Sequence, residues 1–151
     1  GIIGMGETRA DRCDLALSLR KIGVSVVPVN ILNPIEGTPF ENQEPLPPLE
    51  ILKTIACFRF IMPTKEIMVA GGRTVNLRDL QCMIFQAGAS ALMVGNYLTT
   101  LNQSVEKDLQ MLRDLGLDPD WEEFDEGEVG GCGCDERESC SNAEATEAVT
   151  A

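Results

Sequence analysis

Histidine is absent from all 151 residues of the chain. Ser-His-Asp catalysis, Cys-His catalysis and histidine metal sites all require an imidazole, so the chain supplies none of them. If the chain is part of an enzyme, a cofactor or residues outside the chain must supply the reactivity.

Long apolar runs are also absent, and basic residues are few, with 12 lysine and arginine residues against 24 acidic ones. No run of about 18 apolar residues and no basic-then-apolar leader occurs, so we expect no membrane span, no secretion and a cytoplasmic location. The net charge is −12, and residues 120–151 hold 11 acidic residues and one basic residue, Arg137. Residues 1–119 are nearly balanced and show no basic stripe, which argues against a nucleic-acid partner. The composition predicts a folded unit over 1–119 and an acidic, disordered tail over 120–151.

Residues 67–100 have the pattern of a strand, a glycine turn, a helix and a second strand. The short apolar runs 67–70 and 91–94 are typical of parallel strands buried on both faces. Between them, Asn76 is predicted to cap a helix that ends near Gly88. Functional groups of such sheets lie just past the strand ends, here at 71–73 and 95–100.

The remaining segments repeat this pattern, so we predict four strands and four helices in strict alternation. Thr8 is predicted to start the first helix, and Pro48 the second, whose buried stripe would include Leu49 and Phe60. Units of about 30 residues predict the second half of a (β/α)8 barrel or of a doubly wound sheet. Since the chain begins within a strand, we interpret it as part of a longer protein, inactive on its own.

The six cysteines fall into two groups. Cys13, Cys57 and Cys82 stand singly in predicted helices, which is typical of small buried or half-buried apolar groups. The second group, in the tail, consists of Cys132, Cys134 and Cys140. Three thiols within nine residues of glycine-rich polar chain favour metal or cluster ligation, or redox chemistry, over a structural disulfide. Their spacing matches no zinc motif well.

Short motifs spread over residues 1–119 form a specific combination. They include GIIGMGET at 1–8, VPVN at 27–30, EGTP at 36–39, IMPT at 61–64, LTT at 98–100 and KDLQ at 107–110. Together they resemble the C-terminal half of the biotin synthase family. Those enzymes are radical S-adenosylmethionine (SAM) barrels that insert sulfur between two unactivated carbons of dethiobiotin. The family's Cys-x3-Cys-x2-Cys motif, which holds a 4Fe-4S cluster, belongs to the N-terminal half and is absent here.

The resemblance implies a role for five residues of this sequence. Asn30 matches the asparagine that hydrogen-bonds the ureido ring of dethiobiotin, and Thr99 and Thr100 match the pair that holds its carboxylate. Ile2 matches an apolar contact to the adenine of SAM, and Asn33 matches the position whose backbone meets that adenine. A reducing electron-transfer protein and a homodimer are implied as partners.

One position departs from the family pattern. Most members use an arginine late in the seventh strand, with three cysteines, to ligate the 2Fe-2S cluster that donates sulfur, and Met68 stands there in this sequence. A branch of the family lacks this arginine and carries C-terminal cysteines. The resemblance therefore implies that Cys132, Cys134 and Cys140 ligate an altered auxiliary iron–sulfur cluster, because such clusters require thiolates.

Two alternative functions remain open at this point. Residues 69–72 and 88–95 also resemble the last two units of phosphate-binding barrels, whose glycine turns hold a phosphate on backbone amides. A non-catalytic metal or iron–sulfur binding module, centred on the tail cysteines, is the second alternative.

Overall fold

The computed structural model describes residues 1–96 and 102–117, and the backbone of 148–150. The elements in chain order are β1 (Ile2–Ile3), α1 (Arg9–Ile22), β2 (Val26–Ile31), α2 (Pro48–Ile61), β3 (Glu66–Val69), α3 (Arg73–Leu77), α4 (Met83–Gln86), β4 (Ala91–Met93), α5 (Val105–Asp114) and β5 (Ala148–Thr150). A 3-10 turn, Arg78–Leu80, separates α3 from α4. Within these described ranges, no helix is long and apolar enough to cross a bilayer. The predicted α/β class is confirmed.

The sheet has the order β1-β2-β3-β4-β5. The first four strands are parallel neighbours, with Ile2 opposite Asn30 and Pro28 opposite Met68. Strand β5 pairs antiparallel with β4, so the described residues contain one strand more than predicted. The expectation of a disordered tail is wrong for residues 148–150, and the rest of the tail lies outside the described residues.

The hydrophobic core lies on one face of this sheet. Alternate strand residues such as Val27, Val29 and Ile31 are buried there against α2 and α5 residues such as Ile55 and Leu112. Strands in sequential order joined by right-handed crossovers place their helices on the same side, which explains this one-sided core. The prediction of burial on both faces, made for the strands at 67–70 and 91–94, holds for the neighbouring Ala91 and Leu92 in β4, whereas in β3 Met68 is only half-buried between the buried Ile67 and Val69.

Helix α1 begins as its sequence predicts. The Thr8 hydroxyl accepts a hydrogen bond from the Asp11 N–H at 3.2 Å, and the Asp11 carboxylate accepts one from the Thr8 N–H at 2.7 Å. This reciprocal pair satisfies two backbone donors that the first helical turn leaves free. Gly23, with φ 83°, ends the helix in the left-handed conformation that favours glycine.

The single helix predicted after Asn76 is wrong. Helix α3 already begins at Arg73, and Arg78, with φ 52°, interrupts the chain before α4. Asn76 lies inside α3, where its buried side-chain amide donates to the carbonyls of Gly72, at 2.9 Å, and Leu32, at 3.3 Å. The helix therefore begins at Arg73, three residues before the capping position that the local sequence indicates, and the buried contacts of Asn76 stabilise this earlier start.

The predicted buried stripe of α2 is wrong at two positions. Leu49 is 62% exposed and Phe60 is 88% exposed, whereas Ile51 and Phe58 are buried in the core. The helix contains enough apolar residues for two stripes of similar strength. Leu52 and Ile55 are buried as predicted, and packing against α1 and the sheet buries Ile51 and Phe58 beside them in place of Leu49 and Phe60.

Candidate functional site

The face of the sheet opposite the core carries three residues that the sequence predicts as functional. We call it the open face and define it by Ile2, Val26, Pro28, Asn30 and Met68. Ile2 is 52% exposed and Val26 is 44% exposed, while Asn30 and Met68 are half-buried. Ile2 and Asn30 are paired directly across β1 and β2, and Met68 is paired with Pro28 across β2 and β3. The structure thus places Ile2, Asn30 and Met68 on one surface.

The side chain of Asn30 is held in a fixed orientation near the carboxyl end of β2. Its Oδ1 accepts a hydrogen bond from the Gly71 N–H at 2.9 Å, and its Nδ2 donates to the Gly1 carbonyl at 3.3 Å. A primary amide has two donor hydrogens and two acceptor lone pairs. The two contacts use one donor hydrogen and one acceptor lone pair, and together they fix the orientation of the amide. These contacts leave the second donor hydrogen and the second lone pair for another partner.

The Gly71-Gly72 turn after β3 lets this arrangement form. A Cβ at Gly71 would lie 3.0 Å from Asn30 Oδ1, and a Cβ at Gly72 would lie 2.0 Å from the Ile31 carbonyl oxygen. Gly72 also has φ 81°, which disfavours any residue with a side chain. The sequence correctly indicated these glycines, but their function is close contact with β2 and not only a turn.

Arg73 follows the glycines and belongs to a buried polar cluster. The side chains of Arg73 and Asp108 are both fully buried and form an ion pair. The Arg73 guanidinium also donates to Gln81 Oε1 at 2.6 Å and to the Met93 carbonyl at 3.3 Å, while Gln103 donates to Asp108 at 2.9 Å. The pair joins α3 to α5. It holds the polypeptide together at a position where the sequence predicted a functional group.

These contacts count against the phosphate-binding alternative. The Gly71 N–H is committed to Asn30, and the Arg73 guanidinium is committed to Asp108. A phosphate site at this turn would need free backbone amides and an accessible cation. Neither of these two groups is available for that purpose.

Glu7 organises the loop between β1 and α1. Its carboxylate accepts hydrogen bonds from the N–H groups of Gly4 and Met5, each at 2.7 Å, and from Arg12 Nε at 2.8 Å. Burial acts to raise the pKa of the Glu7 carboxyl, but these hydrogen bonds outweigh it, and the pKa lies below its ordinary value. Asn33 is half-buried two residues past β2, in the neighbouring loop.

Five predicted site residues cannot be placed. Thr99 and Thr100 lie outside the described residues, and so do Cys132, Cys134 and Cys140. Among the residues that are described, no group of three or more histidine, cysteine, aspartate or glutamate side chains could hold a metal ion. The thioether of Met68 is neutral and a weak donor. This part of the chain therefore does not supply a ligand set for an iron–sulfur cluster.

Comparison with known proteins gives a consistent result. A family model described as the Biotin and Thiamin Synthesis associated domain matches residues 28–118. The chain is 59% identical over 117 residues to a biotin synthase of Heliobacterium modesticaldum and 55% identical over 117 residues to one of Carboxydothermus hydrogenoformans, each match covering 78% of this chain and 36% of the relative. It is 56% identical over 132 residues to a biotin synthase of Geobacter metallireducens, covering 87% of this chain and 37% of the relative.

The chain therefore spans little more than a third of the length of these curated relatives. The family model, in contrast, matches more than half of the chain. Its matched segment runs from β2 to the end of α5 and includes Asn30, the Gly71-Gly72 turn and the Arg73–Asp108 pair. On this match, the chain belongs to the family of Biotin and Thiamin Synthesis associated domains.

Proposed function

We propose that this chain is the C-terminal part of a biotin synthase, an enzyme that converts dethiobiotin to biotin with SAM and iron–sulfur clusters. The names of the relatives and their identity of 55–59% support the assignment. The proposal concerns the whole enzyme, since the chain spans only part of the relatives' length.

We further propose that β1 to β4 form half of a (β/α)8 barrel. Four parallel strands in sequential order, without the reversal of a doubly wound sheet, support a barrel wall. The one-sided core supports it too, because strands of a closed barrel turn one face inward and the other toward the helices. On this proposal, the open face lines the barrel interior, and residues 1–119 form the barrel unit, to whose last strand residues 148–150 of the tail are paired.

The observation that carries the substrate assignment is the fixed, incompletely used amide of Asn30 on the open face. A ureido ring presents a carbonyl oxygen next to an N–H group. The free N–H of Asn30 can donate to that carbonyl while the free Oδ1 lone pair accepts from the adjacent N–H. Because Gly71 and Gly1 already orient the amide, little ordering is needed on binding.

The other ligand contacts follow from the same proposal. Ile2, exposed beside Asn30, would offer an apolar surface to the adenine of SAM, and the backbone of Asn33 would meet that adenine from the neighbouring loop. Thr99 and Thr100 would bind the dethiobiotin carboxylate through their hydroxyl groups. The full enzyme would act in the cytoplasm as a homodimer, with a reducing electron-transfer protein as partner.

The clusters require thiolates, and the candidates in this chain lie in the tail. When bound, the 4Fe-4S cluster would supply the electron for SAM cleavage, and the auxiliary cluster would supply sulfur. We propose that Cys132, Cys134 and Cys140 ligate the auxiliary cluster, since Met68 offers no charged donor at the family's arginine position. Acidic neighbours in the tail oppose thiolate formation, so ligation depends on compensation by the iron.

The test uses the full-length protein, with dethiobiotin, SAM and a reductant. We expect biotin to form, and we expect the double variant Cys132→Ser, Cys134→Ser to lose the auxiliary cluster and biotin formation while reductive SAM cleavage continues. Iron and sulfide content, a visible spectrum and the rate of SAM cleavage give separate readouts. Cys82→Ser is the matched control, because Cys82 is a half-buried cysteine outside the open face.

Two results would overturn parts of this account. A wild-type protein that cleaves SAM without using dethiobiotin would refute the substrate assignment. A double variant that keeps both clusters and makes biotin would refute ligation by the tail and leave the substrate assignment intact.

A further inference from the structure

Two cysteines that are far apart in sequence lie side by side in the structure. Cys13 on α1 and Cys57 on α2 place their sulfur atoms 3.2 Å apart, although 44 positions separate them in sequence. Both thiols are free and half-buried. The prediction that each is half-buried in its own helix is confirmed, and helices α1 and α2 pack against each other with these two positions at their contact, which the sequence did not indicate.

Contacts that do not involve cysteine fix the register of the two helices. Arg9 makes two hydrogen bonds of 2.7 Å to the Glu50 carboxylate. One turn further along α1, the buried Arg12 reaches the Thr54 hydroxyl at 3.5 Å. Ala16, on the next turn, is fully buried. The sulfur atoms are therefore held together by the surrounding structure, and replacement of one cysteine should leave the packing intact.

The protonation of Cys57 depends on its neighbour Cys13. Burial, the hydrogen bond with Cys13 and the charge of Cys13 together raise the pKa of the Cys57 thiol to about 11. The Cys57 thiol therefore stays protonated near neutral pH and can donate its S–H to Cys13 Sγ. When Cys13 is bonded to another sulfur, its charge and its hydrogen bond with Cys57 no longer raise the pKa of Cys57. The Cys57 thiol then loses its proton more easily.

We propose that Cys13 and Cys57 are a modification site, at which a small-molecule disulfide oxidant such as oxidised glutathione creates a reversible disulfide between α1 and α2. The Cys13 thiolate attacks the oxidant, forms a mixed disulfide and releases one glutathione thiolate. Cys57 then loses its proton, attacks Cys13 Sγ and releases the second glutathione thiolate. Two protein thiols are oxidised by two electrons, one oxidant is reduced to two thiols, and both protons end on glutathione.

The bond would fasten together two helices that are now joined by packing and by the polar contacts of Arg9 and Arg12. It would close a loop that contains β2 and residues 33–47, which removes freedom mainly from the unfolded chain. We expect the oxidised protein to unfold at a higher temperature than the reduced one. This inference does not depend on the proposed function.

The test treats the full-length protein with oxidised glutathione, blocks free thiols and digests with trypsin under non-reducing conditions. Cleavage at lysine and arginine yields the peptides 13–20 and 54–59, each with one cysteine. We expect these peptides to appear as one linked species, two hydrogens lighter than their sum, that dithiothreitol separates. The same treatment in urea should form the link roughly tenfold more slowly, because the folded structure supplies the proximity.

Variants make the assignment specific. Cys13→Ser and Cys57→Ser should each abolish the linked species and leave the remaining thiol free or glutathionylated, whereas Cys82→Ser should leave the link unchanged. Circular dichroism checks that each variant is folded. Free thiols or glutathione adducts at both Cys13 and Cys57 in folded wild-type protein, or a link that forms equally fast in urea, would overturn the proposal.

Discussion

Asn30 and Arg73 are polar residues that lie close to the same carboxyl edge of the sheet, one near the end of β2 and the other just after β3. Arg73 is fully buried and paired with Asp108, which is also fully buried. Asn30 is half-buried, and two contacts set its orientation but leave half of its hydrogen-bonding capacity unused. The same edge thus holds a cluster that joins helices and a side chain suited to bind a ligand.

The comparison shows that position at the strand ends does not by itself identify a functional residue. Location at this edge indicates both Arg73 and Asn30. What separates them is that the buried charge of Arg73 is paired with Asp108 inside the protein, whereas a ligand-binding amide needs free donors and acceptors. The predictions below test this distinction.

The largest expected effect belongs to Arg73→Met. The change leaves the Asp108 carboxylate buried without its partner, which should lower the free energy of unfolding by about 3–5 kcal/mol. Chemical denaturation of the full-length protein measures this loss. Arg113→Met, at an exposed position of α5, is the control and should change stability by less than about 0.5 kcal/mol.

A second variant separates charge from packing. Arg73→Met combined with Asp108→Leu removes both charges, and most of the lost stability should return. If the single and double variants are equally unstable, the ion pair is not the reason for the loss. If Arg73→Met is as stable as the wild type, Arg73 does not hold α3 and α5 together.

The next effect concerns the turn that orients Asn30. Gly72→Ala would place a Cβ 2.0 Å from the Ile31 carbonyl oxygen, and we expect a loss of about 3 kcal/mol or more in the free energy of unfolding. Gly37→Ala is the matched control, since Gly37 has the same φ of 81° but no atom within 4 Å of its added Cβ. That variant should lose only about 1–2 kcal/mol from backbone strain. Equal losses would show that contact with β2 is unimportant.

Local signals predicted much of the fold. The Thr8 capping box, Gly23 at the end of α1 and Pro48 at the start of α2 all lie where the sequence indicates, because each depends on contacts between near neighbours. Asn76 was wrongly predicted as a cap because its partners include the Leu32 carbonyl, 44 positions away in sequence. Phe60 was wrongly predicted as buried because packing decides which apolar stripe turns inward.

The candidate site was predictable only in part. The open-face positions of Ile2, Asn30 and Met68 follow from the alternation of side chains along paired strands, once the register is known. Arg73 and Asp108 form an ion pair although they are 35 positions apart in sequence. The residues next to either of them give no indication of this pairing. The ligand assigned to Asn30 came from the family resemblance, and its role stays a prediction.

The smallest effect concerns Glu7 and pH. Because the folded-state pKa of Glu7 is lowered, its stabilising effect is present above its ordinary pKa of about 4.5 and is lost as pH falls through the lowered value. Glu7→Gln should therefore be less stable than wild type at pH 6, by under about 1 kcal/mol, with the difference shrinking below pH 4. Thermal unfolding at both pH values measures it. Glu44→Gln, at an exposed loop position, should show no such dependence; a constant difference for Glu7→Gln would contradict the prediction.

The central claim is that Asn30 is oriented by the fold but serves a ligand. Asn30→Asp keeps an acceptor for the Gly71 N–H and removes the donor, whereas Asn30→Ala removes both. Asn42→Ala, in an exposed loop, is the control.

Calorimetric titration of dethiobiotin into the full-length protein with SAM tests this claim most directly. For both Asn30 variants we expect a loss of about 1–3 kcal/mol, or roughly 5–150-fold in Kd, with SAM affinity unchanged. The thermal midpoint of Asn30→Asp should fall only slightly, because the variant keeps the hydrogen bond from the Gly71 N–H and loses only the weaker one to the Gly1 carbonyl. Wild-type dethiobiotin affinity in both variants, with SAM still bound, would contradict the account and make Asn30 a structural residue like Arg73.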